Sequence, residues 1–358
     1  MRYLDLDLGA GTPISKIGLG TWQFGSPEWS YGDRYDQREA RAIVRRAAEL
    51  GVTLFDTAEI YGFAARPATV RALLRGVAVT APAGVAGFGR GEEILGEALG
   101  ALGPGAGVVR ATKFYPSWPA GGAVTARARA SAGRLGDGRI GLYQIHQPGR
   151  LGRTAGVMRG VRELQRGGVV AEVGVSNASA RRWRAAEVAL GGRVLTNQVE
   201  YNLVTRGPER ELLPFAVRGG RALIAYSPLA QGFLSARYDA GQRPANPARA
   251  GGRLFRPENL DRAAPLFAVL REVAAAHAAT PAQIALAWVI HHPAVAAIPG
   301  AASVGQLESN VAAAAIELSA GEYRALTAAA DAFRPVAEPR SQSRSRRVRG
   351  RFMAWLAA

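Results

Sequence analysis

The chain has 358 residues, 48% of them hydrophobic, and a formal net charge of +17. No apolar run approaches the roughly 18 residues of a membrane helix, and the lack of cysteine excludes disulfides, thiolate zinc sites and thiol nucleophiles. The charge invites a nucleic-acid or membrane reading. Its distribution argues against both: arginine is spread over most of the expected helices, and Arg340, Arg344, Arg346, Arg347, Arg349 and Arg351 crowd one C-terminal stretch.

The opening residues 1–7 alternate acidic and apolar side chains without the apolar core of a signal peptide, so a cytoplasmic location is expected. A short β-hairpin is expected around residues 9–13, where Gly9, Gly11 and Pro13 mark a turn. Eight apolar runs follow, at 17–22, 53–58, 108–114, 140–146, 171–177, 195–201, 222–227 and 295–299. Helices are expected between and after them at 37–50, 92–102, 125–135, 156–166, 180–190, 209–218, 261–278 and 303–314, with an extra C-terminal helix. This is the βα rhythm of a parallel sheet. Eight repeats favour an α/β fold of the closed (β/α)8 TIM-barrel type, and the Gly-x-Gly-x-x-Gly turn of a Rossmann fold is missing after the first run. The barrel is expected to occupy 1–334, and 335–358 to form a solvated basic arm.

Polar residues gather at one end of these runs. Trp22, Asp56, Lys113, His146, Ser176, Asn177, Gln198 and Tyr226 sit at or just past the C-terminal ends, where barrel enzymes keep their chemistry. Runs two to four are consecutive and neighbouring strands lie about 4.8 Å apart, so Asp56, Lys113, His146 and Tyr61, in the turn after Asp56, can share one pocket. A buried ammonium beside a phenol favours the phenolate, and a carboxylate keeps that ammonium charged. Each residue alone has an ordinary alternative: a cap or turn for Asp56, loop packing for Tyr61, a solvated stem for Lys113, a satisfied core position for His146. Lys113 is the hardest to dismiss. Only it and Lys16 are lysine among 45 basic residues, and a guanidinium cannot replace an ammonium at such a site.

The segments Gly18-Leu19-Gly20-Thr21-Trp22, Phe55-Asp56-Thr57-Ala58-Glu59-Ile60-Tyr61-Gly62, Thr112-Lys113, Leu142 to His146, Gly174-Val175-Ser176-Asn177 and Ala225-Tyr226-Ser227-Pro228-Leu229 together resemble the aldo-keto reductase family. The resemblance runs from about Ile14 to Asp331. It implies a barrel that binds NADP(H) across the strand ends and moves a hydride between nicotinamide and a carbonyl carbon. It makes Tyr61 the general acid or base, with Asp56, Lys113 and His146 completing a tetrad. It gives Trp22, Ser176, Asn177, Gln198 and Tyr226 to the nicotinamide end, and Ser227, Leu229 and Gln231 to the pyrophosphate crossing. Gly300, Ala301, Ser303, Gln306 and Asn310 fall to the adenosine end, where a helix N-terminus suits an anion.

Two departures stand out. Members that prefer NADPH carry a basic residue just after the Pro-Gly-Ala, to meet the ribose 2′-phosphate, and this chain has Ala302. An arginine from 249–256 could substitute, so NADP is expected and NAD remains possible. The family's Tyr-Gly-x-Gly-x-x-Glu-Glu is interrupted by an insertion at 63–87, either a lid or a tolerated surface loop, which could displace Tyr61. Trp22, Trp29, Tyr115, Trp118 and Phe233 are candidates for an aromatic pocket suited to a bulky or planar carbonyl compound. The reading is therefore a reductase of small carbonyl substrates, with no nucleic-acid or membrane partner, no metal and an open oligomeric state. A nicotinamide-binding regulatory or redox-sensing subunit and an NAD-dependent sugar or alcohol dehydrogenase are the alternatives.

Overall fold

The computed structural model describes residues 1–6, 11–33, 35–62, 89–103, 105–116, 121–147 and 151–336. The insertion at 63–87, Trp118 and all but the start of the basic arm lie outside them.

Eight strands form where the apolar runs were expected: β1 (Leu19–Gly20), β2 (Leu54–Asp56), β3 (Val109–Phe114), β4 (Ile140–Ile145), β5 (Val170–Ser176), β6 (Thr196–Glu200), β7 (Ala222–Tyr226) and β8 (Val295–Ala297). They pair in chain order, all parallel. The sheet closes on itself: the Gly18 amide donates to Ala297 O (2.8 Å), the Ala297 amide to Lys16 O (2.8 Å) and the Gly20 amide to Pro299 O (3.1 Å). Closure leaves no sheet edge to protect. Of the expected hairpin, the pairing is present as an antiparallel bridge of Tyr3 with Ser15, with the Leu4 amide donating to Ile14 O at 2.8 Å, while residues 7–10 of its turn lie outside the described residues.

Alternation along the strands separates two cores. One set of residues, including Phe55, Phe114, Tyr143, Val173 and Leu223, packs outward against the helices. The other set points into the barrel, where Leu54, Ala111, Leu142, Ile224 and Ala296 form a second apolar cluster plugged by Leu4 and Ile14 of the hairpin.

The helices are α1 (Gln37–Glu49), α2 (Arg90–Gly100), α3 (Gly121–Arg134), α4 (Leu151–Arg166), α5 (Ala180–Leu190), α6 (Leu212–Arg218), α7 (Pro247–Ala250), α8 (Pro257–Arg262), α9 (Ala264–Ala276), α10 (Pro281–His291), α11 (Val304–Ala312) and α12 (Ala320–Ala332). Two expectations need correction. The helix expected over 261–278 is preceded by a separate one, α8, and the chain turns at Ala263 because Pro265 cannot supply an amide to the preceding turn. Helix α10 was not anticipated. Residues 284–290 are all buried, so no polar face marks a helical period. Its capping box, Thr280 with Gln283, was the readable signal. Among the described residues no single helix is long and apolar enough to cross a membrane.

Candidate active site

The inward alternation that fills the barrel with apolar residues ends in polar ones. Two positions beyond Leu54 is Asp56; beyond Ala111 is Lys113; beyond Leu142 are Gln144 and then His146; beyond Ile224 is Tyr226. The pleat therefore delivers these groups to one rim.

Lys113 is fully buried, and its three ammonium protons have three acceptors: Asp56 Oδ1 at 2.5 Å, the Thr57 carbonyl at 2.8 Å and Tyr61 Oη at 3.1 Å. The other carboxylate oxygen, Asp56 Oδ2, accepts from the amides of Gln198 (2.8 Å) and Gln144 (3.1 Å). His146 packs edge-on against the Tyr61 ring, centroids 5.9 Å apart, and against Tyr115 at 5.7 Å. Its Nδ1 is buried and has no hydrogen-bond partner among the described residues.

These surroundings set the protonation states. Burial pulls the Lys113 ammonium down, but Asp56 and Tyr61 outweigh it and the net shift is upward. Burial also raises the Tyr61 phenol, more than Lys113 lowers it. This corrects the expectation of an acidified phenol: before any substrate charge develops, Tyr61 holds its proton. Burial, with Lys113 nearby, pushes His146 down to about 3, so the imidazole is neutral near pH 7.

The turn carrying Tyr61 is held by close backbone approach and by buried ion pairs. Gly62 lies at φ 84°, and a Cβ on Gly91 would sit 2.8 Å from Tyr61 Cβ. The Gly91 amide donates to Tyr61 O at 2.9 Å, joining the two described segments that flank 63–88, and the Tyr61 hydroxyl lies on Lys113. Glu59, fully buried, accepts from the Tyr115 amide (2.6 Å) and pairs with Arg127 of α3. Burial nonetheless raises its carboxyl to about 6 against the pull of Arg127. Glu92 of α2, also buried, joins Thr112 (2.5 Å) of β3 to Arg134 (2.7 Å) of α3. Sequence reasoning missed Gln144, Glu92 and the role of Glu59. The acid inside the Asp56 to Tyr61 segment was visible, but its partner on a distant helix had no marker.

The residues expected to hold a nicotinamide dinucleotide follow around the same rim. Ser176 Oγ donates to Gln198 O at 2.8 Å; Asn177, at φ 55°, donates to Ser176 Oγ at 3.0 Å and accepts from Tyr226 Oη at 3.1 Å. The Tyr226 ring is half-buried, and burial pushes its phenol up to about 12. Asn177 and Ser176 retain hydrogen-bonding capacity and Tyr226 presents a ring, which fits a carboxamide and an aromatic face. Gln198 differs from expectation in that its amide nitrogen belongs to the Asp56 cluster. Ser227 and Gln231 take left-handed backbone angles (φ 48° and 59°) in the turn after β7, with Leu229 half-buried between them.

Beyond β8, Gly300 approaches Gln23 so closely that a Cβ would lie 2.8 Å from the amide oxygen, and Ala301 is buried. Ser303 caps α11, Gln306 accepts from the Ala302 amide (2.9 Å), and Asn310 donates to Gly300 O (3.2 Å). Over the rim, exposed Trp22 packs on Trp29 with centroids 5.3 Å apart, and the Arg249 guanidinium lies 5.5 Å from the Trp29 ring. Phe233 is not part of this wall. It is buried against Phe255, Phe267 and Phe333 in the outer core.

A closed barrel with buried charged and phenolic groups converging on its C-terminal rim has the architecture of a barrel enzyme. The sequence model of the Aldo/keto reductase family matches residues 16–331, and the chain belongs to that family. It is 50% identical over 340 residues to an uncharacterised oxidoreductase of Mycobacterium tuberculosis, covering 95% of this chain and 96% of that protein. It is 33% identical to the methylglyoxal reductase of Escherichia coli K12, over 91% and 94% of the two chains. Among solved structures, an aldo/keto reductase from Klebsiella pneumoniae in complex with NADP and acetate matches with a TM-score of 0.68 and 27% identity, over 94% of this chain and 98% of that one.

Proposed function

We propose that the protein transfers a hydride between NADP(H) and the carbonyl carbon of a small aldehyde or ketone, with Tyr61 as the acid in reduction and the base in oxidation. The observation that carries this reading is the buried chain from Asp56 through Lys113 to the Tyr61 hydroxyl. NADP is the cofactor in the solved Klebsiella relative. When bound, it supplies the hydride in reduction and accepts it in oxidation.

The chain's own groups manage the proton. In reduction the Tyr61 hydroxyl donates its proton to the carbonyl oxygen while the carbon becomes tetrahedral, so the product is a neutral alcohol and the phenol becomes a phenolate. Lys113, 3.1 Å away and already charged, stabilises that anion. Asp56 keeps Lys113 charged and fixed, and it is itself held by Gln144 and Gln198. Neutral His146, half-buried and edge-on against Tyr61, can hydrogen-bond the substrate oxygen through its other ring nitrogen and orient it toward Tyr61.

Trp22, Trp29 and Tyr115 supply aromatic walls and favour carbonyl compounds with a planar or apolar substituent. The E. coli relative is named for methylglyoxal, so a small dicarbonyl is the second substrate class to test. The retained cluster argues against a purely regulatory role, which needs no phenol hydrogen-bonded to a buried ammonium.

The test is NADPH consumption against a panel of aromatic aldehydes and methylglyoxal. Tyr61→Phe should cut turnover by about a hundred- to ten-thousandfold while leaving cofactor binding intact. Equal turnover in the variant would remove Tyr61 from the mechanism.

A further inference from the structure

Glu59 lies two positions before Tyr61 in the turn after β2 and is fully buried, and its partner Arg127 on α3 is buried too. Its main chain ties the turn to its surroundings: the Glu59 amide donates to Lys113 O (3.4 Å), and Glu59 O accepts from the Gly89 amide (2.6 Å). The carboxylate reaches elsewhere. Oε1 accepts from the amide of Tyr115, the residue that follows β3 (2.6 Å), Oε2 accepts from Arg127 Nε (2.9 Å), and Arg127 Nη2 adds a second bond to Oε1. The Arg127 guanidinium also lies 4.4 Å from the centre of the Phe114 ring.

This pair fixes the corner where β3 leaves the barrel. The Tyr115 ring packs edge-on against His146, centroids 5.7 Å apart, and the His146 amide donates to Phe114 O at 2.8 Å. A shift of Tyr115 is therefore felt at His146. Lys113, by contrast, finds its acceptors in Asp56, the Thr57 carbonyl and Tyr61, and not in the Glu59 carboxylate. The side chain of Glu59 bears on the wall that meets the substrate rather than on the proton donor. Stability alone is a poor account of the pair, because desolvating two charges offsets much of their attraction.

We propose that Glu59, clamped by Arg127, is a positioning residue for the substrate: it holds Tyr115 and, through the Tyr115 ring, His146, and so sets KM, most strongly for carbonyl compounds that carry an aromatic ring. The inference rests on the hydride-transfer reading above. Tyr115 meets the substituent edge to face, and His146 meets the carbonyl oxygen. A ring loses the most contact when Tyr115 shifts, and the methyl group of methylglyoxal the least.

Protonation offers a test without mutation. Burial raises the Glu59 carboxyl to about 6. The groups facing it are Arg127 of α3 and the Tyr115 amide, which lower it, Glu92 of α2, which raises it, and the phenol of Tyr143 on β4. Below that value the acid is neutral and its hold on Arg127 weakens. Neither His146, pushed down to about 3, nor Lys113 and Tyr61, both shifted upward, titrates in that range.

Steady-state kinetics at saturating NADPH, with benzaldehyde and methylglyoxal as probes, read the effect. The wild-type KM for benzaldehyde should be about fivefold higher at about pH 5 than at about pH 8, with smaller changes in kcat and in the KM for methylglyoxal. Glu59→Gln, which keeps an acceptor for the Tyr115 amide but no charge for Arg127, should show the raised benzaldehyde KM at every pH. A flat wild-type KM for benzaldehyde, a rise equal for both probes, or a Glu59→Gln variant with wild-type KM would each overturn the proposal. If that variant does not fold, the wild-type profile decides alone. Consumption of NADPH with neither probe would instead defeat the hydride-transfer reading, and this inference with it.

Discussion

The chain's two lysines stand at opposite ends of the barrel, both buried, and burial acts on them with different results. Lys16 lies below β1, 7% exposed, and donates to Ile290 O (2.9 Å) and His292 O (2.8 Å) at the C-terminal end of α10. Burial, with Arg2 nearby, lowers it to about 8. Lys113 at the rim is more deeply buried, yet its net shift is upward because Asp56 and Tyr61 outweigh the desolvation. Carbonyl dipoles hold an ammonium in place; a carboxylate keeps it charged. The rim lysine is thus held charged between a carboxylate and a phenol, and the lower one is a tie between a strand and a helix end.

Asp56→Asn should break the contrast most sharply. It leaves the Lys113 ammonium buried among neutral groups, so burial would dominate and the lysine would lose its proton more readily. The expected result is a loss of turnover of about a thousandfold and of stability by ~3–5 kcal/mol. Residual activity should fall as pH rises through the lowered lysine value, which a pH–rate profile would reveal. Gly91→Ala is the next largest. Its Cβ would meet Tyr61 Cβ at 2.8 Å, pushing the phenol off Lys113 without changing any charge. A displacement of that kind costs about a hundredfold in turnover, with ~1–3 kcal/mol of overpacking. Wild-type turnover in this variant would mean that the Tyr61 to Lys113 distance tolerates slack.

The rim was largely legible in the sequence because the pleat writes it there. Asp56, Lys113 and His146 end consecutive apolar runs, and Tyr61 follows in a Gly-ended turn. The partners of that site were not legible. Gln144 lies mid-motif but looks like any strand amide until the barrel closes and brings it to Asp56. Arg127 is one arginine among many on amphipathic helices, and only the fold sets it on Glu59. Glu39 reads from sequence as a dipole-matching acid in the first turn of α1, behind the Asp36 cap. Its contact with Val304 depends on how α1 and α11 pack. The direction of the Tyr61 shift was likewise beyond the sequence. It is a contest between depth of burial and one nearby cation, and depth won.

Lys16→Met sharpens the comparison with the smallest expected effect. The folded value of Lys16 is about 8 against an ordinary 10.5, so between those pH values the unfolded chain binds more protons than the folded one. Stability from this group is therefore complete above about 10.5 and is lost as pH falls toward 8. By linkage the loss amounts to about 3 kcal/mol. Replacing the ammonium by a thioether relieves that cost below pH 8, but it abandons two carbonyls at the end of α10, at about 1–3 kcal/mol. The terms oppose each other, so at pH 7 the variant should lie between wild-type stability and about 2 kcal/mol above it. At pH 10.5 only the lost hydrogen bonds remain and the variant should be the less stable of the two. Urea unfolding of both proteins from pH 7 to 10.5 reads the difference directly, with the tyrosines common to both cancelling. A constant gap across that range would mean that Lys16 keeps its proton in the folded state, and that carbonyls alone can hold a buried ammonium charged.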